Sequence, residues 1–244
     1  MLNDLIKAKN WTLDLLFPIL CVGCGKEGKY ICDDCSVFLS ENAQICPVCQ
    51  KTSLSGERHE YCKKDDELDG LTTIWDYEGI AKVLMRRIKK EGLFHAIPVM
   101  VCESFSVIAN DKNRFKEFLS FLSLNDACVS YVPSHGKEEK KRGFNHAELI
   151  AREVGRFTGL QIINSLEKTR QTKLQEELGS SKRFSGAKAS FAARGKCPEN
   201  VILVDDFWTT GATMKECCRV LKENGAENVW GFVFSVQFNN SNNI

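Results

Sequence analysis

The sequence lacks an excess of charge of one sign and lacks a long apolar run. Lys and Arg number 33 against 32 Asp and Glu, so the net charge is +1, and a nucleic acid or a membrane surface would have to be met by a local patch. No apolar stretch approaches the roughly 20 residues that cross a bilayer, and residues 1 to 20 contain no signal-peptide core or cleavage site. We therefore expect a cytoplasmic protein without a membrane span, whose N-terminal stretch forms a short helix packed on the body.

The region from residue 20 to 64 has too few apolar residues for a core of its own, but it contains seven of the twelve cysteines. They form three Cys-x-x-Cys pairs, and a His-x-x-Cys pair completes the set. The eight candidate ligands are Cys21, Cys24, Cys32, Cys35, Cys46, Cys49, His59 and Cys62. Because two-residue spacing lets both side chains of a pair reach one ion, the four pairs predict two tetrahedral, structural zinc sites.

The spacing does not fix which pairs share an ion. Sequential pairing joins the first pair with the second and the third with the fourth, and interleaved pairing is the alternative. His59 is the weakest member, because a plain surface histidine would leave the second site with three ligands or empty. Disulfides are disfavoured without a secretion signal, and a redox-active pair is expected at a strand-to-helix junction rather than in a polar array.

The remainder of the chain alternates apolar strand-like segments with amphipathic helical segments. Its five cysteines are scattered and predict small buried side chains. The alternation predicts a mostly parallel α/β sheet flanked by helices over residues 70 to 238. We divide the chain into residues 1–68, an N-terminal helix and cysteine-rich zinc module, and residues 69–244, the α/β domain.

The segment VILVDDFWTTGAT, residues 201 to 213, places two aspartates directly after a buried strand. Adjacent carboxylates repel and gain nothing from burial. A core strand running into a solvated turn, with an aspartate capping the next helix, needs only one acidic side chain. The additional Thr/Gly turn before a helix indicates a site for a ligand with hydroxyl groups, a metal ion or both, with phosphate at the helix N-terminus.

This segment resembles the fingerprint of type I phosphoribosyltransferases. The resemblance implies that Asp205 and Asp206 hold the ribose hydroxyls of phosphoribosyl pyrophosphate, assisted by Mg²⁺, and act as the catalytic pair. It implies that the turn binds the 5′-phosphate through backbone N–H groups and hydroxyls. The turn residues are Thr209, Thr210, Gly211, Ala212 and Thr213.

Two further segments resemble the ComF family, the competence-associated proteins of bacterial DNA uptake. They are VPSHGKEEKKRGFNHAELIA from Val132 and RQTKLQEELGSSKRFSGAKASF from Arg170. The cysteine module and the helix segment with Tyr77-Glu78-Gly79 and Ile88-Lys89 also fit that family. The resemblance, which spans roughly residues 15 to 236, implies a type I phosphoribosyltransferase fold with a small N-terminal zinc module.

The family pattern assigns two further groups of residues to the ligand. Pyrophosphate binding falls to Ser134, His135, Lys137 and Arg142, and the flexible catalytic loop contains Arg170, Thr172, Gln175 and Arg183. A solvated surface is the competing interpretation for any single basic residue in these groups, and helix capping is the competing interpretation for Asn145. The sequence departs from the family at Gly186, where asparagine is usual, and at His59, where cysteine is usual.

The residues and the resemblance leave two functions open. One is an enzyme of natural competence that transfers phosphoribose to an unknown acceptor; Thr209 stands where purine-salvage enzymes carry a base-handling aspartate, so purine bases are disfavoured. The other is a non-catalytic accessory protein of DNA uptake that binds single-stranded DNA, has other DNA-uptake proteins as partners, and retains the pocket. Its candidate DNA contacts are the basic residues 86–90, 137–142 and 182–183, with Trp75, Phe144 and Trp208 as stacking groups.

Overall fold

The computed structural model describes residues 18–134, 144–169 and 191–237. The predicted N-terminal helix, most of the predicted pyrophosphate loop and the whole predicted flexible loop lie outside these residues. Among the described residues, no helix is both long and apolar enough to cross a bilayer.

Six helices and eight strands are described, and we number them in chain order. The helices are α1 (Asp33–Ser36), α2 (Gly79–Glu91), α3 (Ile97–Asn110), α4 (Lys116–Leu122), α5 (His146–Thr158) and α6 (Ala212–Glu223). The strands are β1 (Gly70–Asp76), β2 (Ala127–Tyr131), β3 (Gln161–Ile162), β4 (Leu166–Lys168), β5 (Phe191–Ala193), β6 (Asn200–Val204), β7 (Phe207–Trp208) and β8 (Asn228–Val236). Single 3-10 turns lie at Glu60–Cys62 and Phe94–Ala96.

The main sheet has the strand order β1-β8-β6-β2-β3, and β7 continues the pairing with β8 beyond the end of β6. Every pairing described within this sheet is parallel. The carboxyl ends of β2 and β6 therefore lie side by side, with Tyr131 paired to Val204. This confirms the predicted fold class, a mostly parallel α/β sheet flanked by helices.

Strand β8 shows why both faces of the sheet are apolar. Successive side chains of a strand point to opposite faces. Phe232 contacts the rings of Phe105 in α3 and Phe118 in α4 on one face. The neighbouring Gly231 meets Met214 of α6 on the other face, where a larger residue would collide with Leu71. Helices on both faces bury the central strands, as expected of a parallel sheet.

The cysteine module covers the outer edge of β1, which would otherwise expose unpaired backbone groups. Gln44 donates to the Thr73 carbonyl at 2.7 Å and accepts from the Thr73 N–H at 3.2 Å. Isolated bridges join Glu41 to Trp75 and Glu57 to Gly70. The module thus packs on the sheet at a defined register, and Cys21, Cys32 and Cys35 contribute to the same hydrophobic core.

The structure differs from the sequence-based element boundaries in two places. Residues 161–169 were expected to form one strand; they form β3, which joins the main sheet, and β4, which pairs antiparallel with β5. Alternating apolar residues predict a strand but not its partner, which depends on the fold around it. The helix expected from about Leu93 begins at Ile97, after the 3-10 turn. Pro98 lies in its first turn, where the N–H that proline lacks would have no partner within the helix.

Candidate functional site

The acidic pair lies at the carboxyl edge of the sheet, immediately after β6. The backbone of both residues is held by β8: the Asp205 N–H donates to the Phe232 carbonyl at 3.1 Å, and the Asp206 carbonyl accepts from the Phe234 N–H at 3.1 Å. Two carboxylates are therefore fixed on rigid backbone at the end of a central strand. Open α/β sheets bind their ligands at this edge.

Lys89 provides the countercharge for one of the two carboxylates. Its ammonium lies 2.6 Å from Asp206 Oδ2, and the two side chains are only 26% and 12% exposed. The same ammonium lies 3.7 Å from the ring centroid of Phe207. The basic segment around Lys89 predicts a surface patch, whereas in the structure the Lys89 side chain pairs with Asp206. The family motif that ends in Ile88-Lys89 was the one signal that singled out this position.

Asp205 has a different environment from its neighbour. Its Oδ1 accepts from the Asp206 N–H at 2.9 Å. Burial and the nearby Asp206 carboxylate raise the pKa of Asp205 to about 8, against the weaker opposing effect of Lys89. Near neutral pH the pair therefore holds a proton, and a cation or a donor hydroxyl that enters the site would release it.

The raised pKa of Asp205 predicts a pH-dependent stability. Between pH 4 and pH 8 the folded protein holds this proton more tightly than the unfolded chain does, so this group lowers the free energy of unfolding as the pH rises. We expect Asp205→Asn to remove this dependence, on the order of 1 to 3 kcal/mol between pH 5 and pH 8.5 once solvent screening is allowed for. Thermal unfolding of both proteins in magnesium-free buffer measures the difference, and parallel pH profiles would contradict it.

The Thr/Gly turn follows β7 and leads into α6. Gly211 has φ +73, in the left-handed region, and a Cβ there would overlap the indole of Trp208. The side chains of Thr209, Thr210 and Thr213 are exposed. The turn encloses a cavity of about 60 Å³, which Asp205 also lines. Backbone donors at a helix N-terminus and exposed hydroxyls around a small cavity suit a phosphate group.

Trp208 supports this turn from within. It is 1% exposed, and its Nε1 is buried without a hydrogen-bond partner in the described structure. Trp75 is equally buried, and Phe144 packs against Phe94 and His146. The two indoles are therefore core side chains. Because they are buried, Trp75 and Trp208 cannot stack on bases, and their prediction as stacking groups for DNA is wrong.

The start of the predicted pyrophosphate loop lies beside the acidic pair. Ser134 follows β2, and the Val132 N–H donates to the Val204 carbonyl at 3.0 Å, so the two loops leave adjacent strands. Asn145 caps α5, accepting from the Ala147 N–H at 3.0 Å, and donates to the Val132 carbonyl. The capping interpretation of Asn145 is thereby confirmed.

Seven of the predicted ligand contacts fall outside the described residues. They are His135, Lys137 and Arg142 of the pyrophosphate group and Arg170, Thr172, Gln175 and Arg183 of the flexible loop. Their roles stay predictions.

A second, larger cavity of about 420 Å³ opens at the same edge of the sheet, between the cysteine module and the ends of β1 and β8. Its lining includes Glu41, Asp76, Tyr77 and Glu78. Tyr77 stacks on Phe207 with ring centroids 5.2 Å apart, so one aromatic pair separates this cavity from the acidic pair. No motif in the sequence indicated this space, because its walls come from the module and from two distant strands.

The eight candidate metal ligands form two groups, as sequential pairing predicts. The first group contains Cys21, Cys24, Cys32 and Cys35, and the second contains Cys46, Cys49, His59 and Cys62; within each group the ligand atoms lie within 4.8 Å of one another. Sequential pairing, rather than interleaved pairing, is the arrangement found. Either group could hold a metal ion.

The individual distances fit tetrahedral zinc. Zn–S bonds of about 2.3 Å give a tetrahedron edge of about 3.8 Å, and a mixed sulfur–nitrogen edge of about 3.5 Å. Cys24 Sγ lies 3.6 Å from Cys32 Sγ, and Cys49 Sγ lies 3.4 Å from His59 Nδ1. His59 Nε2 lies 3.1 Å from the Thr52 carbonyl, a contact that keeps the proton on Nε2 and leaves Nδ1 for a metal. A plain surface histidine would need neither contact.

One thiol in each group is prepared for the thiolate form. Burial alone would raise the pKa of Cys21, but backbone N–H groups of Cys32, Cys24 and Gly23 lower it to about 6. The pKa of Cys49 is also lowered to about 6, against the effect of burial, by the Lys51 backbone and by His59. Thiolates at neutral pH are the ligands that zinc requires.

We expect two zinc ions per chain, one for each group. Cys46→Ser combined with Cys49→Ser should halve the zinc content, because the second group keeps only two ligands. Elemental analysis of protein purified without chelator measures the content. Cys102→Ser is the matched control, since Cys102 is exposed and outside both groups. Equal zinc in wild type and the double variant would contradict the assignment.

The described residues form a parallel α/β sheet with an acidic pair and a Thr/Gly turn at its carboxyl edge. Among solved structures, the chain has 21% identity and a TM-score of 0.31 to the allosteric regulatory enzyme of purine biosynthesis, over 46% of this chain and 23% of that one. No protein-family model matches the chain.

Curated proteins match over most of the chain. It is 27% identical to Competence protein F of Haemophilus influenzae, covering 87% of this chain and 89% of that protein. It is 27% identical to Competence protein ComFC of Streptococcus pneumoniae, covering 83% and 86%. It is 26% identical to the DNA utilization protein YhgH of Escherichia coli O157:H7, covering 82% and 87%. Over most of its length the chain is therefore similar to proteins named for competence and for DNA utilization.

Proposed function

We propose that the protein binds phosphoribosyl pyrophosphate with Mg²⁺ at Asp205, Asp206 and the Thr209–Thr213 turn, and that it takes part in natural competence. The observation that carries the binding proposal is that the two aspartates and the turn lie next to each other at the carboxyl edge of the sheet. Both carboxylates follow the end of β6, and Asp205 lines the small cavity that the turn encloses before α6. A sugar with a 5′-phosphate would present its hydroxyls to the two carboxylates and its phosphate to the turn.

The chemistry of the donors fits each part of this ligand. Carboxylate oxygens accept hydrogen bonds from vicinal hydroxyls, and they are also the hard ligands that Mg²⁺ prefers. A bound Mg²⁺ would neutralise charge on the pyrophosphate. The turn offers the backbone N–H groups at the start of α6, whose macrodipole favours an anion. Lys89 already neutralises Asp206, so the two carboxylates can share the site.

The reaction that this site would serve is displacement of pyrophosphate from C1 of the ribose. The bond from C1 to the pyrophosphate oxygen breaks, a bond from C1 to an acceptor nucleophile forms, and pyrophosphate leaves with the bonding electrons. Thr209 supplies a hydroxyl and no carboxylate at the start of the turn, so it cannot take a proton from a purine ring nitrogen. The acceptor is therefore expected to be something other than a purine base.

The role in DNA uptake rests on the relatives. Three of them are named competence proteins, and others are named DNA utilization proteins. We propose that residues 1–68 form the zinc module and residues 69–244 the phosphoribosyltransferase-like domain, with zinc in a structural role. Single-stranded DNA as the main ligand is less well supported, since Trp75 and Trp208 are buried and Lys89 is paired with Asp206.

Phosphoribosyl pyrophosphate with Mg²⁺ should raise the melting temperature of the purified protein. Ligand at about 100 times its dissociation constant stabilises the folded state by about 2.7 kcal/mol, roughly 5 to 10 °C for a chain of this size. Differential scanning fluorimetry measures the shift. Asp205→Asn combined with Asp206→Asn is the matched control, and it should show no more than about 1 °C.

No shift in wild type, or an equal shift in the double variant, would contradict the proposed ligand. A positive result would justify screening bases, amines and nucleic acids for pyrophosphate release, which identifies the acceptor.

A further inference from the structure

The second metal group touches the proposed phosphate turn, although about 160 residues separate the two in the sequence. The Gln50 side chain donates from Nε2 to the Thr210 carbonyl at 3.2 Å. The Lys215 ammonium, in the first turn of α6, donates to the Val48 carbonyl at 3.0 Å. Val48 lies between the ligand candidates Cys46 and Cys49, and Gln50 directly follows Cys49. We call residues 46–51 the knuckle.

The knuckle has a closed backbone shape that a metal ion would reinforce. The Cys46 N–H donates to the Lys51 carbonyl at 2.9 Å, and the Gln50 N–H donates to the Cys46 carbonyl at 2.9 Å. Gln50 has φ +60, in the left-handed region that non-glycine residues rarely adopt. A residue in such a conformation persists when its surroundings hold it there, and this strain is often found at functional contacts. Here it accompanies the contact of the Gln50 side chain with Thr210.

On the other side of the contact, the turn has few fixed points of its own. Thr209, Thr210, Ala212 and Thr213 are exposed. Within the turn, the Ala212 N–H reaches Thr210 Oγ1 only at 3.4 Å. Trp208 supports it from below through Gly211. The contact from Gln50 at Thr210 therefore adds a restraint from outside the turn, next to Gly211.

The Lys215 contact has an electrostatic consequence. A cation in the first turn of a helix is unfavourable with the macrodipole, because the N-terminus already carries partial positive charge. The Val48 carbonyl stabilises this ammonium and keeps it partly buried beside the turn. A phosphate bound in the turn would then meet both the helix N-terminus and the charge of Lys215.

We infer that Gln50 and Lys215 are positioning residues that link the second metal group to the phosphate turn, so that a metal ion in Cys46, Cys49, His59 and Cys62 shapes the turn for an anionic phosphate. This inference rests on the proposed function for the identity of the ligand. The contacts between the knuckle and the turn do not depend on which ligand the turn binds. Linkage is reciprocal, so phosphate binding in turn strengthens metal retention in the second group and leaves the first group unaffected.

Two kinds of variant separate the link from general loss of structure. The contact variant, Gln50→Ala combined with Lys215→Met, removes both contacts and keeps all eight ligand candidates. The second-group variant, Cys46→Ser combined with Cys49→Ser, removes the second metal group. The first-group variant, Cys21→Ser combined with Cys24→Ser, removes the first metal group and is its matched control. Lys51→Ala is the control for the knuckle surface, because the contact described for Lys51 within the knuckle is made by its backbone carbonyl.

Hydrogen–deuterium exchange of the peptide that contains residues 209–215 tests the link without any ligand. We expect exchange there to rise about five-fold or more in the contact variant and in the second-group variant, and to stay at the wild-type rate in the first-group variant and in Lys51→Ala. Zinc content, measured on the same samples, should be unchanged in the contact variant. An unchanged turn in the contact variant, or an equal rise in the first-group variant, would overturn the inference.

Titration with phosphoribosyl pyrophosphate and Mg²⁺ tests its consequence for binding. The contact variant should bind about five- to thirty-fold more weakly than wild type, since each lost hydrogen bond weakens binding by about five-fold. Wild-type affinity in that variant would overturn the inference. If wild type itself fails to bind, the proposed function fails, and the exchange experiment still decides whether the knuckle positions the turn.

Discussion

Gly211→Ala should strongly destabilise the protein, by about 3 kcal/mol or more, which corresponds to a drop of roughly 6 to 12 °C in melting temperature. Two effects add. A side chain at φ +73 is strained by about 1 kcal/mol. The new Cβ would also overlap the indole of Trp208, which is 1% exposed and has no room to withdraw. The change should shift the turn and thereby weaken the proposed phosphate binding.

A matched control is available at the end of α5. Gly159 has φ +77, but a Cβ there would meet nothing within 4 Å. Gly159→Ala therefore carries the backbone strain without the collision, and it should cost only about 1 kcal/mol. Thermal unfolding of both variants isolates the contribution of Trp208. Equal destabilisation of the two would show that the indole does not restrict the turn.

Features built from neighbouring residues are the ones that the sequence predicts directly. The acidic pair, the Thr/Gly turn and the helix cap at Asn145 are defined by neighbouring residues, so their patterns in the sequence are direct. The Cys-x-x-Cys pairs are also local. Their sequential pairing was found only in the structure, because it depends on how the module folds back on itself.

Features formed between distant segments had no direct signal. Lys89 was grouped with surface arginines and lysines, since a lysine near the end of an amphipathic helix is usually solvated. Its partner Asp206 is more than a hundred residues away. The contact of Gln50 with Thr210, likewise, joins the module to the opposite end of the chain. Charge pairing and hydrogen bonding of this kind are determined by the tertiary fold, and a residue pattern within one segment cannot encode them.

The pairing of Lys89 with Asp206 explains how two adjacent aspartates are tolerated at the end of an apolar strand. The ammonium compensates one carboxylate, and a raised pKa keeps the other protonated near neutral pH. The site therefore rests in a state of low net charge. Under the proposed function, Mg²⁺ or ribose hydroxyls would replace this internal compensation, so ligand affinity is expected to rise with pH as Asp205 loses its proton.

Lys89→Gln should accordingly destabilise the ligand-free protein by about 2 to 3 kcal/mol at pH 7, because it leaves a partly buried carboxylate without its partner. Adding Asp206→Asn should restore part of the loss, since the pair is then neutral. The double-mutant cycle, measured by thermal unfolding, should give a coupling of about 1 to 3 kcal/mol. Lys90→Gln is the matched control: its side chain is exposed on the same helix, and its effect should stay within about 0.5 kcal/mol.

The same variants distinguish a pocket residue from a DNA-binding surface. If Lys89 belongs to the pocket, Lys89→Gln changes the response to phosphoribosyl pyrophosphate and Mg²⁺, while its affinity for single-stranded DNA changes no more than that of Lys90→Gln. A basic patch would behave in the opposite way, because each phosphate contact contributes similarly to DNA affinity, so the loss of either lysine would weaken DNA binding by a similar factor. Equal losses of DNA affinity in both variants, with no coupling between Lys89 and Asp206, would show that Lys89 acts as part of a DNA-binding surface and not of the pocket. The ammonium held 2.6 Å from Asp206 over the Phe207 ring argues for the pocket.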